Sequence, residues 1–316
     1  MADGAADLVW PTVRGGLLAG MEKGWRAFLW MMKIILPVSL LTTLLQWSGL
    51  LLSLDFLLRP VMAVMGLPSL AAFPLLIGML TGIYGAIAAM IVLPFTEAQM
   101  TLMAIFLLMA HNLIQEGVIQ AQSGIRLWKA TLFRILMAIV TVVLVSLIIQ
   151  NGAAPAGPAA LPAAPPTFYE TMKDWGVATA WLVLKVFLII MTLLTFLEVL
   201  KAMGWIAYVV RVFSPLLSLM GLDRKVGILW MTAIVFGLSY GGAVIVEEAR
   251  NGHLTKEELE MLQLSIGINH SMVEDPMLFV AIGLSAFWLY VPRLVMAIVS
   301  VRLVRLWYRN FAKIRL

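Results

Sequence analysis

Asn269-His-Ser-Met-Val-Glu-Asp275-Pro and His111-Asn-Leu-Ile-Gln-Glu116-Gly are the two stretches that decide how this chain is built. Each ends an apolar run with a histidine, polar residues and an acid. The histidines stand 159 residues apart. The same offset pairs Thr96 with Thr255, Gln115 with Glu274, Glu116 with Asp275 and Arg134 with Arg293. Nearer the start of each half, a slightly shorter offset pairs Lys33 with Lys185 and Gln46 with Glu198. Leu58-Arg-Pro-Val-Met-Ala-Val-Met-Gly-Leu67 faces Phe213-Ser-Pro-Leu-Leu-Ser-Leu-Met-Gly-Leu222, and Gly82-Ile-Tyr84-Gly-Ala86 faces Gly237-Leu-Ser-Tyr240-Gly-Gly242. Polar residues are scarce in this sequence, so their register match reads as a duplication.

The composition says where such a duplicated unit lives. Of 316 residues, 62% are apolar and 12% charged, against roughly 45–50% and 25% in soluble domains. That excess of apolar surface points to an integral membrane protein. With no cysteine, disulfides, thiolate metal sites and cysteine nucleophiles are excluded. The net charge of +5 orients loops in a membrane protein rather than binding nucleic acid. No zinc finger, Walker loop or aromatic–basic repeat contradicts that. The opening Met1-Ala-Asp-Gly-Ala-Ala-Asp lacks the charged region and apolar core of a signal peptide.

A crossing helix needs about 20 mostly apolar residues. Six runs qualify as crossings: Trp25 to Trp47, Leu70 to Leu93, Leu127 to Ile149, Val177 to Leu197, Val226 to Val246 and Met277 to Val301. Leu50 to Met65 and Met203 to Met220 are shorter and read as interfacial. Thr96 to Gly124 and Leu254 to Pro276 are apolar with polar ends and read as re-entrant, with a full crossing of 97–123, which would give four crossings per half and no inversion, left open. The expected fold is an all-α integral membrane protein of two inverted repeats, each with about three crossings, an interfacial helix and a re-entrant or broken helix. Its parts are an N-terminal interfacial segment (1–24), repeat one (25–150), an external linker rich in Ala and Pro (151–176), repeat two (177–303) and a basic tail (304–316). In this arrangement 16 of the 22 basic residues lie on the side of both termini. The positive-inside rule makes that side cytoplasmic in an inner or plasma membrane.

Thr96-Glu-Ala-Gln99 and Thr255-Lys-Glu-Glu258 both have the capping-box pattern, so a helix is expected to start at each. Gly117 leaves helical space cheaply, and Pro276 disfavours helix at Asp275. Each helix is therefore expected to break just after its acid, with His111 and Gln115, and His270 and Glu274, sharing faces four residues apart. Irregular backbone at membrane depth belongs in buried or cavity-lining positions, and ionisable groups there are usually functional. The expected substrate site is His111, Asn112, Gln115, Glu116, Asn269, His270, Ser271, Glu274 and Asp275, with Tyr84 and Tyr240 at matching interruptions of two spans. His111, Glu116, His270, Glu274 and Asp275 also form an imidazole–carboxylate set suited to a divalent transition metal. Arg134 and Arg293 are expected as supporting ion pairs with Glu116, Asp275 or Glu247 and Glu248. Lys33 and Lys185 are explained by snorkelling to a surface.

The doubled unit, the Met-Gly-Leu after a Pro-containing stretch, the Tyr-Gly interruptions and His270-Ser-Met-Val-Glu-Asp275 resemble the nucleoside recognition, or Gate domain, membrane proteins. That group includes spore maturation proteins A and B, and similar Gate domains form the membrane part of the ferrous iron transporter FeoB. The resemblance covers roughly 25–150 and 177–303 and implies solute passage through paired gates. The function expected is a transporter or channel-like permease for a small solute, either nucleoside-like or a divalent cation. A non-transporting assembly protein is the alternative, and a metal-dependent intramembrane enzyme a lesser one, since no His-Glu-x-x-His or Gly-x-Ser-x-Gly motif is present. The partners expected are the lipid bilayer and the solute or ion, not nucleic acid, with a homo-oligomer left open.

Overall fold

A computed structural model of the chain describes residues 3–50, 55–150, 167–205, 208, 215, 219–222, 224–252 and 254–311. The expected linker core (151–166), most of the expected interfacial segment 203–220 and the end of the basic tail lie outside the described residues. The chain is all-α. Its helices are α1 (Asp3–Trp47), α2 (Asp55–Val64), α3 (Ala72–Thr81), α4 (Ile83–Val92), α5 (Glu97–Ala110), α6 (Leu113–Gln122), α7 (Leu127–Gln150), α8 (Phe168–Ala202), α9 (Arg224–Arg250), α10 (Lys256–Asn269), α11 (Glu274–Ala281) and α12 (Ala286–Phe311). A 3-10 turn, Ser69–Ala71, precedes α3.

Among the described residues, five stretches are long and apolar enough to cross a membrane: Trp10–Trp47, Glu97–Gln122, Leu127–Ile149, Phe168–Ala202 and Ala286–Asn310. The first begins well before Trp25, so 1–24 is not a separate element. α1 and α8 run antiparallel along their lengths, with Trp175 Nε1 donating to Ser39 Oγ at 3.2 Å and Lys23 paired with Glu198 at 2.9 Å. Gly16, Gly20 and Gly24 make this possible: a Cβ on Gly16 would lie 2.9 Å from the Val199 Cα. Three glycines at four-residue spacing let two backbones touch, the usual contact of membrane helices.

Two of the expected crossings are not crossings of one helix. Leu70–Leu93 breaks at Gly82, whose φ of 98° and ψ of 178° are open only to glycine. A Cβ on Gly78 would fall 2.9 Å from that of Ala86, although eight residues of straight helix span about 12 Å. α3 and α4 therefore fold back on each other as a helical hairpin. In the second half, Gly237 repeats the break inside α9 at φ 74° and ψ 173°.

The Thr96 segment takes the crossing path rather than the re-entrant one. α5 and α6 do not double back; both lie along the single straight helix α7. Gly117 of α6 packs on Thr131 and Leu127, while Arg134 reaches the carbonyls of Met109 and His111 at the end of α5. The broken helix thus passes through the molecule, and the hairpin before it is the re-entrant element. The apolar window of Glu97–Gln122 is 72% buried, against 25–39% for the other four crossing stretches. It forms the shielded centre, with the long outer helices around it. The exchange also moves Arg250 and Lys256 to the side of the 122–127 turn, because Lys129 pairs with Glu260 and Gly124 packs on Leu259.

Candidate functional site

Both capping boxes form. Thr96 and Thr255 accept from the amides of Gln99 and Glu258, whose side chains reach back to the threonine amides. A third, Thr167 with Glu170, starts α8. From these caps α5 and α10 each run fourteen residues and stop at a histidine in extended conformation, His111 (φ −83°, ψ 164°) and His270 (φ −71°, ψ 164°). The next residue turns left-handed, Asn112 at φ 48° and Ser271 at φ 50°.

The breaks therefore precede the acids rather than follow them. Glu116 lies in the first turn of α6, and Glu274 and Asp275 in the first turn of α11. Pro276 begins a helix instead of ending one, since amides in the first turn have no intrahelical partner to lose. Gly117 stays helical as a packing residue against Thr131. The breaks also separate His111 from Gln115 and His270 from Glu274, so these pairs share no helix face. Gln115 turns to the surface and accepts from Asn112 Nδ2 at 3.0 Å.

The hairpin tips satisfy the broken backbone. Asn112 N donates to Gly78 O at 2.9 Å, and Met272 N to Ile234 O at 2.9 Å. Arg134 donates to Met109 O and His111 O at 2.9 and 2.8 Å. Arg293 does the same to Ile268 O and His270 O at 3.3 and 2.9 Å. A guanidinium thus covers the negative end of each broken helix, where carbonyls would otherwise face hydrocarbon. Arg134 additionally pairs with Glu116 Oε2 at 2.7 Å. Arg293 is held at close range by these carbonyls, with Asp275 a more distant electrostatic neighbour.

The two histidines meet. Their Nε2 atoms are 3.5 Å apart and their ring centres 5.0 Å. Each Nδ1 donates to a carbonyl one turn back, Leu107 O at 2.8 Å and Ile266 O at 3.0 Å. A carbonyl only accepts, so Nδ1 carries the hydrogen and Nε2 of the neutral ring offers a lone pair inward. Glu116 reaches both rings, Oε1 at 3.0 Å from His111 Nε2 and Oε2 at 3.1 Å from His270 Nε2. Asp275 Oδ2 stands 3.6 Å from His111 Nε2 and has no hydrogen-bond donor. All four side chains are buried. His111, His270 and Asp275 each direct a ligand atom into a space less than 4.8 Å across. Lone pairs and carboxylates facing one another call for a positive occupant, either protons on the rings or a bound cation.

The other expected residues divide around this centre. Glu274 is outside it and accepts from Tyr84 Oη at 2.7 Å. Ser271 supplies the left-handed turn. Asn269 is fully buried beside His270, with neither side-chain polar atom partnered. The Tyr240 side chain lies outside the described residues. Lys33 and Lys185 both point outward from their helices.

Over 284 residues the chain is 30% identical to the uncharacterized membrane protein YvoD of Bacillus subtilis (strain 168), covering 89% of this chain and 91% of that protein. The chain belongs to the family of that membrane protein. No family model matches it, and no solved structure matches it. Sequence reasoning missed Gln120, Ser123 and Gln263, which form a buried hydrogen-bonded group between α6 and α10. The signal was present: Glu116, Gln120 and Ser123 recur at the spacing of one helix face.

Proposed function

We propose that the protein is a permease for a divalent transition-metal cation, bound where its two broken helices meet. The observation that carries this is the pair of Nε2 atoms 3.5 Å apart with two carboxylates beside them. Two imidazole nitrogens on one tetrahedral ion, each about 2.05 Å from it, stand ~3.4 Å apart. Imidazole and carboxylate without thiolate suit zinc, manganese or ferrous iron. The burial of all four side chains favours an ion over a nucleoside-sized solute.

Arg134 tempers the site. Its charge lies against Glu116 and opposes a cation there, which keeps binding weak enough for release, as conduction requires. The repeated broken helices, each with its own hairpin, match the general plan of transporters with sites at the repeat interface. The resemblance to Gate domain proteins points the same way. Passage of an ion, not bond-making chemistry, is the activity assigned. The basic residues at 122–129, 250–256 and 302–309 support a cytoplasmic placing of that face and of both termini.

Elemental analysis of the purified protein tests the site, beside His111→Ala/His270→Ala. The expected result is about one equivalent of metal, lost in the double variant, with zinc, manganese or ferrous iron uptake into proteoliposomes by the wild type alone. Metal retained by the folded double variant, or no uptake of any of the three ions by folded wild type, overturns the reading.

A further inference from the structure

Two seams lead away from the histidine cluster, and they differ. On one, α6 presents Glu116, Gln120 and Ser123, and α10 presents Gln263, Gly267 and His270, each set spaced along one helix face. The two faces are interlocked. Gln120 Nε2 donates to Gln263 O at 2.7 Å and to Gln263 Oε1 at 3.2 Å. Gln263 Nε2 donates to Ser123 Oγ at 2.6 Å, and Ser123 Oγ to Gln120 O at 2.7 Å. Gly267 lets the α10 backbone lie against Arg134 and Gln120: a Cβ there would be 3.1 Å from Arg134 Cγ and 3.2 Å from Gln120 Nε2. The file thus runs from Glu116 past Arg134 to Ser123, at the turn where Gly124 meets Leu259.

The seam related by the repeat carries the same backbone and the opposite chemistry. Gln120 and Ser123 correspond to Phe279 and Ile282 of α11, Gln263 to Ala104 of α5, and Asn269 to Ala110. Phe279, Ala104 and Ala110 are fully buried. A repeat that needed only packing would keep both seams apolar, since a buried amide left without a partner destabilises the fold. Here Gln120 leaves its Oε1 without a hydrogen-bond partner. Polar atoms so placed at membrane depth are met by water or a hydrated ion.

We propose that the α6–α10 seam is the hydrated route between the cluster and the face bearing the 122–127 turn, with Gln120, Gln263 and Ser123 replacing the water shell of the passing cation. The α5–α11 seam is its closed counterpart. This rests on the cluster being a cation site, and the test separates the two.

The chain has no cysteine, so single cysteines read accessibility without background. Gln120→Cys and Ser123→Cys are compared with Phe279→Cys and Ile282→Cys, using a charged, membrane-impermeant methanethiosulfonate on vesicles of each orientation. The expected result is labelling of the first two about tenfold faster than the second two, from one side only, as a water-lined path requires. Equal rates, or no labelling of the first pair from either side, overturn the route, because an amide pair serving only as interhelical glue stays dry. Gln263→Leu adds a second readout. Zinc bound per protein stays at the wild-type level, while zinc uptake falls about tenfold as the path loses its polar lining. Wild-type uptake by Gln263→Leu also overturns the route. Metal retained by His111→Ala/His270→Ala overturns the cation site alone, leaving the labelling pattern to report the water path by itself.

Discussion

The segments 96–134 and 255–293 have one backbone and two chemistries. Cap, fourteen-residue helix, extended histidine, left-handed residue, second helix and arginine brace recur in both. The side chains around that frame diverge where the halves meet. Glu116 is long enough to touch both histidines and also pairs with Arg134, whereas Asp275 stands back, 3.6 Å from His111 Nε2. Gln115 faces outward, whereas Glu274 is held by Tyr84. What is shared is what the fold needs to break a helix inside a membrane. What differs sits on the path an ion would take.

The sharpest way to break this comparison is to remove the braces one at a time. Arg134→Ala strips two carbonyls of their donor and leaves Glu116 buried without its partner, a loss of about 3–5 kcal/mol. Arg293→Ala strips the two carbonyls without breaking a close ion pair, about 1–3 kcal/mol. Thermal unfolding in detergent checks the order, and equal losses would show that the Glu116 pair adds nothing.

The carboxylates come next. Glu116→Gln weakens zinc binding about 10–100-fold more than Asp275→Asn does, a range typical of tuning around metal ligands. Titration calorimetry measures the ratio, and a ratio near one would mean that Asp275 is an equal ligand. Smaller and symmetric effects belong to the frame itself. Gly82→Ala and Gly237→Ala each cost about 1–3 kcal/mol, the strain of a side chain in a backbone region kept to glycine. At Gly82 the added Cβ meets nothing, so any larger loss there would betray motion of the hairpin tip. Thr96→Ala and Thr255→Ala each cost about 1 kcal/mol, the value of a helix cap. Unequal losses in unfolding free energy would show that one broken helix is better held than the other.

The site was only partly readable in one dimension. The offset of 159 residues between the histidines was enough to pair the tips, and the threonine caps were readable because capping is decided within four residues. The position of the break was misread because Gly117 and Pro276 look like helix enders. Gly117 is needed where α6 touches Thr131, and Pro276 is tolerated as a first-turn residue. Asn112 and Ser271 break the helices instead, and neither side chain announces it. Their left-handed turns hold because the hairpin tips accept their neighbourhood's amides, a contact that no local pattern encodes.

The membrane class, the duplication, the helix starts and the arginine carried in step with each histidine follow from composition and spacing, because hydropathy and capping act within one segment. Which segment doubles back, which passes through, and that a single glutamate joins both histidines were decided by the packed structure. In a chain where nearly every run is apolar, hydropathy cannot rank one helix as more interior than another. Only contact between helices, Gly78 against Ala86 and α5–α6 along α7, assigns each its depth.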